Sequence, residues 1–421
     1  MKGRAHTTAA TLALAVLVAA CGGGNAAPGS TSTTAAPTTT APKASTTVMA
    51  APSTTTTSVA AEIPFVDLTQ QVTDYLATTD LPALGAAIVT IDGELAGIGV
   101  AGERRLGSGI SVEQGDVWSL GSNAKAITAF AAGMMVDAGL ISWDTTIEES
   151  FPELSGSMLD VYRTATLEDL LGHGAGIVNT TIPGLDGTPI GGSVTPSTQR
   201  EQAVEWALAQ QPAVTPGTHH YSNLGYVTAA VMLERASGTP LEEWVIANIA
   251  APLGATTFGY GPHVEAGASD QPVPHHKPAG GEWTVREAHE NTPFRRPSGG
   301  AFASLQDWGL IVAEMMKAAR GTSELVTPET GQTLLTPITR VQPGYDYAMG
   351  WGLTNPGGWP GGVGWYHAGS NNANLAVVWV HPQADFAILV VTNGADADGK
   401  ARQAVDTLAH AVRATWQQAS G

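Results

Sequence analysis

The chain has 421 residues, 43% of them hydrophobic and only 13% charged, with a formal net charge of −18. That hydrophobic fraction supplies a large core, built as one big domain or as two closely packed lobes. Nucleic-acid partners are excluded, because phosphate contacts need clustered Lys and Arg, and a pair such as Arg295-Arg296 is too small to count.

The chain opens "MKGRAHTTAATLALAVLVAAC", with Lys2 and Arg4, an apolar run over 12–18, and small residues before Cys21. This layout predicts a secretory signal peptide over 1–20. The apolar run is too short to span a bilayer. Cys21 is the only cysteine, which rules out a disulfide framework or a thiolate-rich zinc site. Val18-Ala19-Ala20-Cys21-Gly22 resembles the lipobox of bacterial lipoproteins, in which the cysteine is lipidated; an ordinary cleaved signal is the alternative. Residues 21–61 then hold Thr, Ser, Ala, Pro and Gly with almost no large apolar side chain. Such a segment cannot bury enough surface to offset its ordering entropy and reads as a tether. Its r.m.s. reach is roughly 35 Å. The expectation is a membrane-anchored extracytoplasmic lipoprotein.

The folded part is expected over 62–421. A helix is predicted at 65–79, then strands at 84–91 and 95–102 joined as a hairpin through Asp92-Gly93-Glu94. The middle reads as mostly helical, with Gly/Pro-rich loops over 172–197 and 259–297. Two buried antiparallel strands, 374–381 and 385–393, are joined at 382–384, and a helix over 398–418 closes the chain. Strands at both ends with helices between predict an α/β (α+β) fold. Its antiparallel sheet is built from both ends of the domain, with flanking helices and an inserted helical lobe.

Three short segments carry chemistry. Ser122 and Lys125 lie three apart, so on a helix they share a face. Apolar neighbours around Lys125 predict burial, which lowers a lysine pKa and makes its amine a base for the serine hydroxyl. A half-exposed, snorkelling lysine is the bland alternative. Tyr221-Ser222-Asn223 precedes a helix predicted at 224–236, where a phenol and a carboxamide can project into one cleft. A simple helix N-cap at Asn223 and a packed Tyr221 ring are the alternative. His367-Ala368-Gly369 is expected to lead into the first C-terminal strand. Small residues there let a substrate backbone approach, and the Ser370 N–H can polarise a carbonyl; a plain turn is the alternative. His173, the pairs His219-His220 and His275-His276, and the Gly299-Gly300 turn before a helix read as structural. No metal-ligand spacing and no cofactor motif is present.

Together these segments resemble the serine β-lactamase and penicillin-binding protein superfamily, in its class C-like branch. Further stretches carry the resemblance: "LISWDTTIEESFPEL", "LEDLLGHGAGI", "TPGTHHYSNLGY", "PLGATTFGYG", "RPSGGAFASLQDWGLIVAEMM" and "YAMGWGL". It implies a β-lactamase/transpeptidase-like fold. Ser122 would be the acylated nucleophile, Lys125 its general base and Tyr221 the proton relay. Asn223, His367, Gly369 and Ser370 would bind substrate, with the N–H groups of Ser122 and Ser370 as the oxyanion hole. No cofactor or metal is implied. The partner would be a small molecule or peptide with an acyl carbonyl: a peptidoglycan stem peptide, an ester or a β-lactam. β-Lactamases of this branch usually carry Lys-Thr-Gly where this chain has His-Ala-Gly. A D-alanyl-D-alanine carboxypeptidase, penicillin-binding or esterase-like hydrolase is therefore ranked first. A class C-like β-lactamase comes next, and a non-catalytic wall-binding or penicillin-sensing lipoprotein last.

Overall fold

The computed structural model describes residues 63–186, 193–287, 291–355, 362–381 and 383–420. The signal peptide, Cys21, the tether and Pro382 lie outside the described residues. Residues 61–421 form one compact unit. Among the described residues no helix is long and apolar enough to cross a membrane.

The first helix, α1 (Thr69–Leu76), is shorter than the predicted 65–79. Val66–Asp67 instead adds a parallel strand beside Gly97 and Ile98, and the Asp67 carboxylate accepts the Thr69 N–H at 2.9 Å, fixing where the helix begins. The expected hairpin is present as β1 (Ala83–Thr90) and β2 (Leu95–Gly102). Gly93 at its tip has φ +85°, a conformation that favours glycine.

Next come β3 (Val117–Gly121), α2 (Ala124–Asp137) and α3 (Asn223–Ser237). β4 (Ala301–Ser304) and α4 (Leu305–Arg320) follow. Gly299-Gly300 leads into β4, and the helix starts only after it. The loop expected over 259–297 contains three short strands, Gly259–Tyr260, His275–Lys277 and Thr284–Val285. β5 (Gly364–Ser370), β6 (Leu375–His381), β7 (Phe386–Thr392) and α5 (Lys400–Ala419) complete the unit.

Among the described residues the main sheet has nine strands. Its order is Val66–Asp67, β2, β1, β7, β6, β5, Gly352–Thr354, Tyr345–Tyr347, Thr339–Gln342. β2, β1, β7, β6 and β5 pair antiparallel in that order, so the N-terminal hairpin adds directly to the C-terminal strands. Side chains alternate across this sheet. Leu84, Ala86 and Ile88 of β1 join one cluster with Val405, Leu408 and Val412 of α5. Ala83, Ala87 and Val89 face the other way, into the core that holds α2, α3 and α4. Covering both faces explains why these strands are nearly continuously apolar. The helical lobe is inserted between the two ends of the sheet, as expected.

Candidate active site

α2 is buried on nearly every side, its Ala-rich composition letting neighbouring backbones approach closely. Ser122 is not helical. It sits in the turn between β3 and α2, with its carbonyl accepting the Lys125 N–H at 3.1 Å. The turn leaves Ser122 partly exposed while Lys125, one turn on, has no exposure at all.

The lysine Nζ has three neighbours. It lies 3.1 Å from Ser122 Oγ, 2.7 Å from Asn223 Oδ1 and 2.6 Å from the Ser298 carbonyl oxygen. Burial holds its pKa well below the ordinary lysine value, and the Arg295 guanidinium adds to the effect. A neutral amine has two N–H donors and one lone pair. The two carbonyl-type oxygens can only accept, so they take the two donors, and the lone pair is left for the Ser122 hydroxyl. This arrangement suits proton abstraction from that hydroxyl.

The Tyr221 ring centroid lies 4.7 Å from Lys125 Nζ, which places the phenol beside the Ser122–Lys125 pair. Burial raises its pKa, so the phenol is neutral at rest. Asn223 is the first residue of α3. The cap is Ser222, whose Oγ accepts the Gly225 N–H at 3.0 Å. Asn223 is thereby free to turn its side chain to Lys125.

His367-Ala368-Gly369 lies inside a strand of its own, β5, and does not merely lead into one. The sequence does not signal this strand, because its two Gly and its mixed Trp, Tyr and His leave no aliphatic run. Its pairing with β6 puts His367 and Gly369 on one face. Gly369 is pressed against β3, where a Cβ would fall 1.9 Å from Leu120 O and 2.6 Å from Ser122 N. This close approach brings the Ser122 and Ser370 amides to the same edge. His367 is buried, and its Nε2 lies 3.0 Å from Tyr347 Oη. Nearby, Tyr226 donates to Leu171 O at 2.6 Å. Burial, with Lys125 adding to it, pushes the imidazole down to about 3, so His367 is neutral.

All seven proposed site residues outside the N-terminal region thus meet beside the C-terminal half of β5. Beside Asn223 a hollow of about 460 Å³ is lined by Asn179, Thr180, Asp186, Asn291 and Arg295 among others. A larger hollow of about 670 Å³, around Asp92, Glu314, Lys317 and Arg320, contains none of the site residues. Among the described residues no group of three or more His, Cys, Asp or Glu side chains could hold a metal ion. The Ser298 carbonyl, Tyr347 and Arg295 were not legible as site residues. A backbone acceptor has no sequence signature, and the other two act through long-range contacts.

Fold and site together define a protein of the β-lactamase/transpeptidase fold with a Ser–Lys pair beside β5. The chain belongs to the Beta-lactamase family, whose model matches residues 68–412. Penicillin-binding protein 4 of Amycolatopsis lactamdurans is 36% identical over 94 residues, which is 22% of this chain and 24% of that one. A second match, 27% identical over 158 residues, covers 36% of this chain and 36% of an Escherichia coli (strain K12) protein. That protein carries the provisional name D-alanyl-D-alanine carboxypeptidase. The chain therefore spans well under two thirds of either relative. The solved D-amino acid amidase from Ochrobactrum anthropi SV3 is 17% identical, with a TM-score of 0.65 over 82% of this chain and 97% of that one. At that identity the likeness concerns the fold.

Proposed function

We propose that the protein is a serine hydrolase that opens an amide or ester carbonyl through a covalent acyl-enzyme. The observation that carries this reading is the fully buried Lys125 amine, 3.1 Å from Ser122 Oγ, with its two N–H groups taken by acceptors. Ser122 Oγ attacks the carbonyl carbon while its proton passes to Lys125 Nζ. The N–H groups of Ser122 and Ser370 receive the oxyanion, worth about 10²–10³ in rate per donor. Tyr221 hands the proton on to the leaving amine or alcohol as the carbonyl's old bond breaks. Water then attacks the ester, the same base takes its proton, and Ser122 leaves with a proton restored. Asn223, His367 and Gly369 position the substrate.

The substrate class we favour is a D-amino-acid amide or peptide, as in a D-alanyl-D-alanine carboxypeptidase, with simple esters as a related activity. Neutral His367 supports this ranking over a class C-like β-lactamase, because it offers a substrate carboxylate no fixed cation. A panel of a D-Ala-D-Ala peptide, a D-amino acid amide, p-nitrophenyl esters and nitrocefin tests it, with Ser122→Ala as control. Turnover of amide or ester above nitrocefin, lost in the variant, is expected. Efficient nitrocefin hydrolysis would reverse the ranking. No labelling of the wild type by a fluorescent penicillin or a fluorophosphonate would leave the non-catalytic reading standing.

The same proposal places the protein outside the cytoplasm, held to the membrane by lipid on Cys21. Detergent-phase partitioning of the full chain, lost in Cys21→Ser, is the expected result; partitioning that ignores the substitution would end it.

A further inference from the structure

His173 has three unusual properties at once. Its φ is +60°, uncommon for a residue with a side chain. It is only 2% exposed, and its Nε2 has no hydrogen-bond partner. It is also ringed by aromatic groups, with the Tyr221 ring 4.4 Å away and the Tyr347 ring 4.8 Å away, centroid to centroid. A strained backbone with an unsatisfied buried polar atom persists only where something else holds it.

What holds it is the segment that carries Tyr221 and Asn223. His173 Nδ1 accepts the Ser222 N–H at 3.2 Å, and its carbonyl accepts the His220 N–H at 2.9 Å. Two residues of the same loop complete the grip. Val178 O accepts from Ser222 Oγ at 3.0 Å, and Asn179 Oδ1 accepts the Asn223 N–H at 3.1 Å. An imidazole that accepts at Nδ1 carries its proton on Nε2, so it is the neutral tautomer.

We infer that His173 is a positioning residue: through its Nδ1 acceptor it holds Tyr221 and Asn223 in register with Lys125. The inference rests on the hydrolase reading for the roles of Tyr221 and Asn223. If the acceptor is lost, the 221–223 backbone loosens, the 2.7 Å bond from Lys125 to Asn223 lengthens, and water reaches the amine. Water restores the lysine toward its ordinary pKa, which moves the acidic limb of the rate profile to higher pH.

Two variants separate acceptor from ring. His173→Asn keeps an acceptor close to the Nδ1 position and tolerates positive φ. His173→Phe keeps a ring and removes the acceptor. For each, kcat/KM is measured against pH on the best substrate of the panel, together with amide exchange at Ser222. His173→Phe should lose at least about 10-fold in kcat/KM, as expected for a small misplacement of reacting groups. Its acidic limb should shift upward and its Ser222 protection should fall. His173→Asn should stay within about 3-fold with the wild-type profile. A wild-type profile in His173→Phe overturns the inference, as does the same shift in both variants. Should His173→Phe not fold, His173→Asn decides alone: a retained profile upholds the role and a shifted one ends it. If the wild type turns over nothing on the panel, the hydrolase reading fails separately. The clamp is then judged by exchange: protection kept in His173→Asn and lost in His173→Phe upholds it, and any other pattern overturns it.

Discussion

Gly369 stands against Leu120 with no room for a side chain, since a Cβ would fall 1.9 Å from the Leu120 carbonyl oxygen. Contact this tight fixes the distance between β5 and β3. It therefore sets where the Ser370 amide stands relative to Ser122. Gly369→Ala must push the strands apart. The expected result is a fall in kcat of about 10²–10³-fold, the usual loss when one oxyanion donor is misplaced. Circular dichroism should show the fold retained. A variant with near-normal kcat would remove this strand contact from the mechanism.

Lys125 is costly to the fold for the same reason that it is useful. Its folded-state pKa lies well below that of the unfolded chain because burial disfavours the charged form. Between those two pKa values the unfolded state binds the extra proton, so stability rises with pH across that window. Lys125→Met removes this dependence and leaves an apolar side chain of similar length. It should be more stable than wild type at neutral pH, with the gap closing as pH nears the ordinary lysine value. Urea melts across that range check the sign. Turnover should drop by at least about 10²-fold, the low end for loss of a general base.

His367 and Tyr347 lead to a different outcome. Tyr347→Phe deletes the hydrogen-bond partner of a buried imidazole nitrogen. A buried polar atom left unpaired typically costs about 1–3 kcal/mol. Stability should fall by that amount in chemical denaturation. The acidic limb of the rate profile should stay in place, because His367 is already neutral far above its pKa of about 3. A limb that moved with this substitution would mean that the imidazole titrates during turnover.

The Ser122–Lys125 pair and the β1–β2 hairpin could be read directly, because each depends on neighbours in sequence: a helical spacing, or a turn at Gly93. The strands rich in aliphatic residues were legible for the same reason. β5 was not, since Gly364 and Gly369 dilute its apolar pattern and its pairing with β6 supplies what its composition lacks. The strand at Val66–Asp67, and with it the late start of α1 at Thr69, depends on pairing with Gly97 and Ile98, partners some thirty positions away. Ser298 entered the site through its backbone carbonyl, which any residue would provide. His173 was read as structural because its significance lies in a backbone angle and one bond to Ser222, neither of which a sequence displays.

Arg295 tests how far the electrostatics of Lys125 reach. Its guanidinium is held by Asp186, with Nε donating to Oδ1 at 3.0 Å and Nη2 to Oδ2 at 2.9 Å. It nevertheless disfavours a proton on Lys125, behind burial in size but in the same direction. Arg295→Gln removes that cation and leaves the Asp186 carboxylate without its partner. Both changes favour the ammonium form of Lys125, so its pKa should rise. Turnover needs the free amine, so the acidic limb of kcat/KM should move to higher pH while the rate on the alkaline plateau changes less. Replacing Asp186 as well, as Asp186→Asn with Arg295→Gln, cancels the new negative charge and should return part of the shift. A pH titration of the wild type and both variants on one substrate decides it. Superimposable acidic limbs would mean that burial alone sets the lysine.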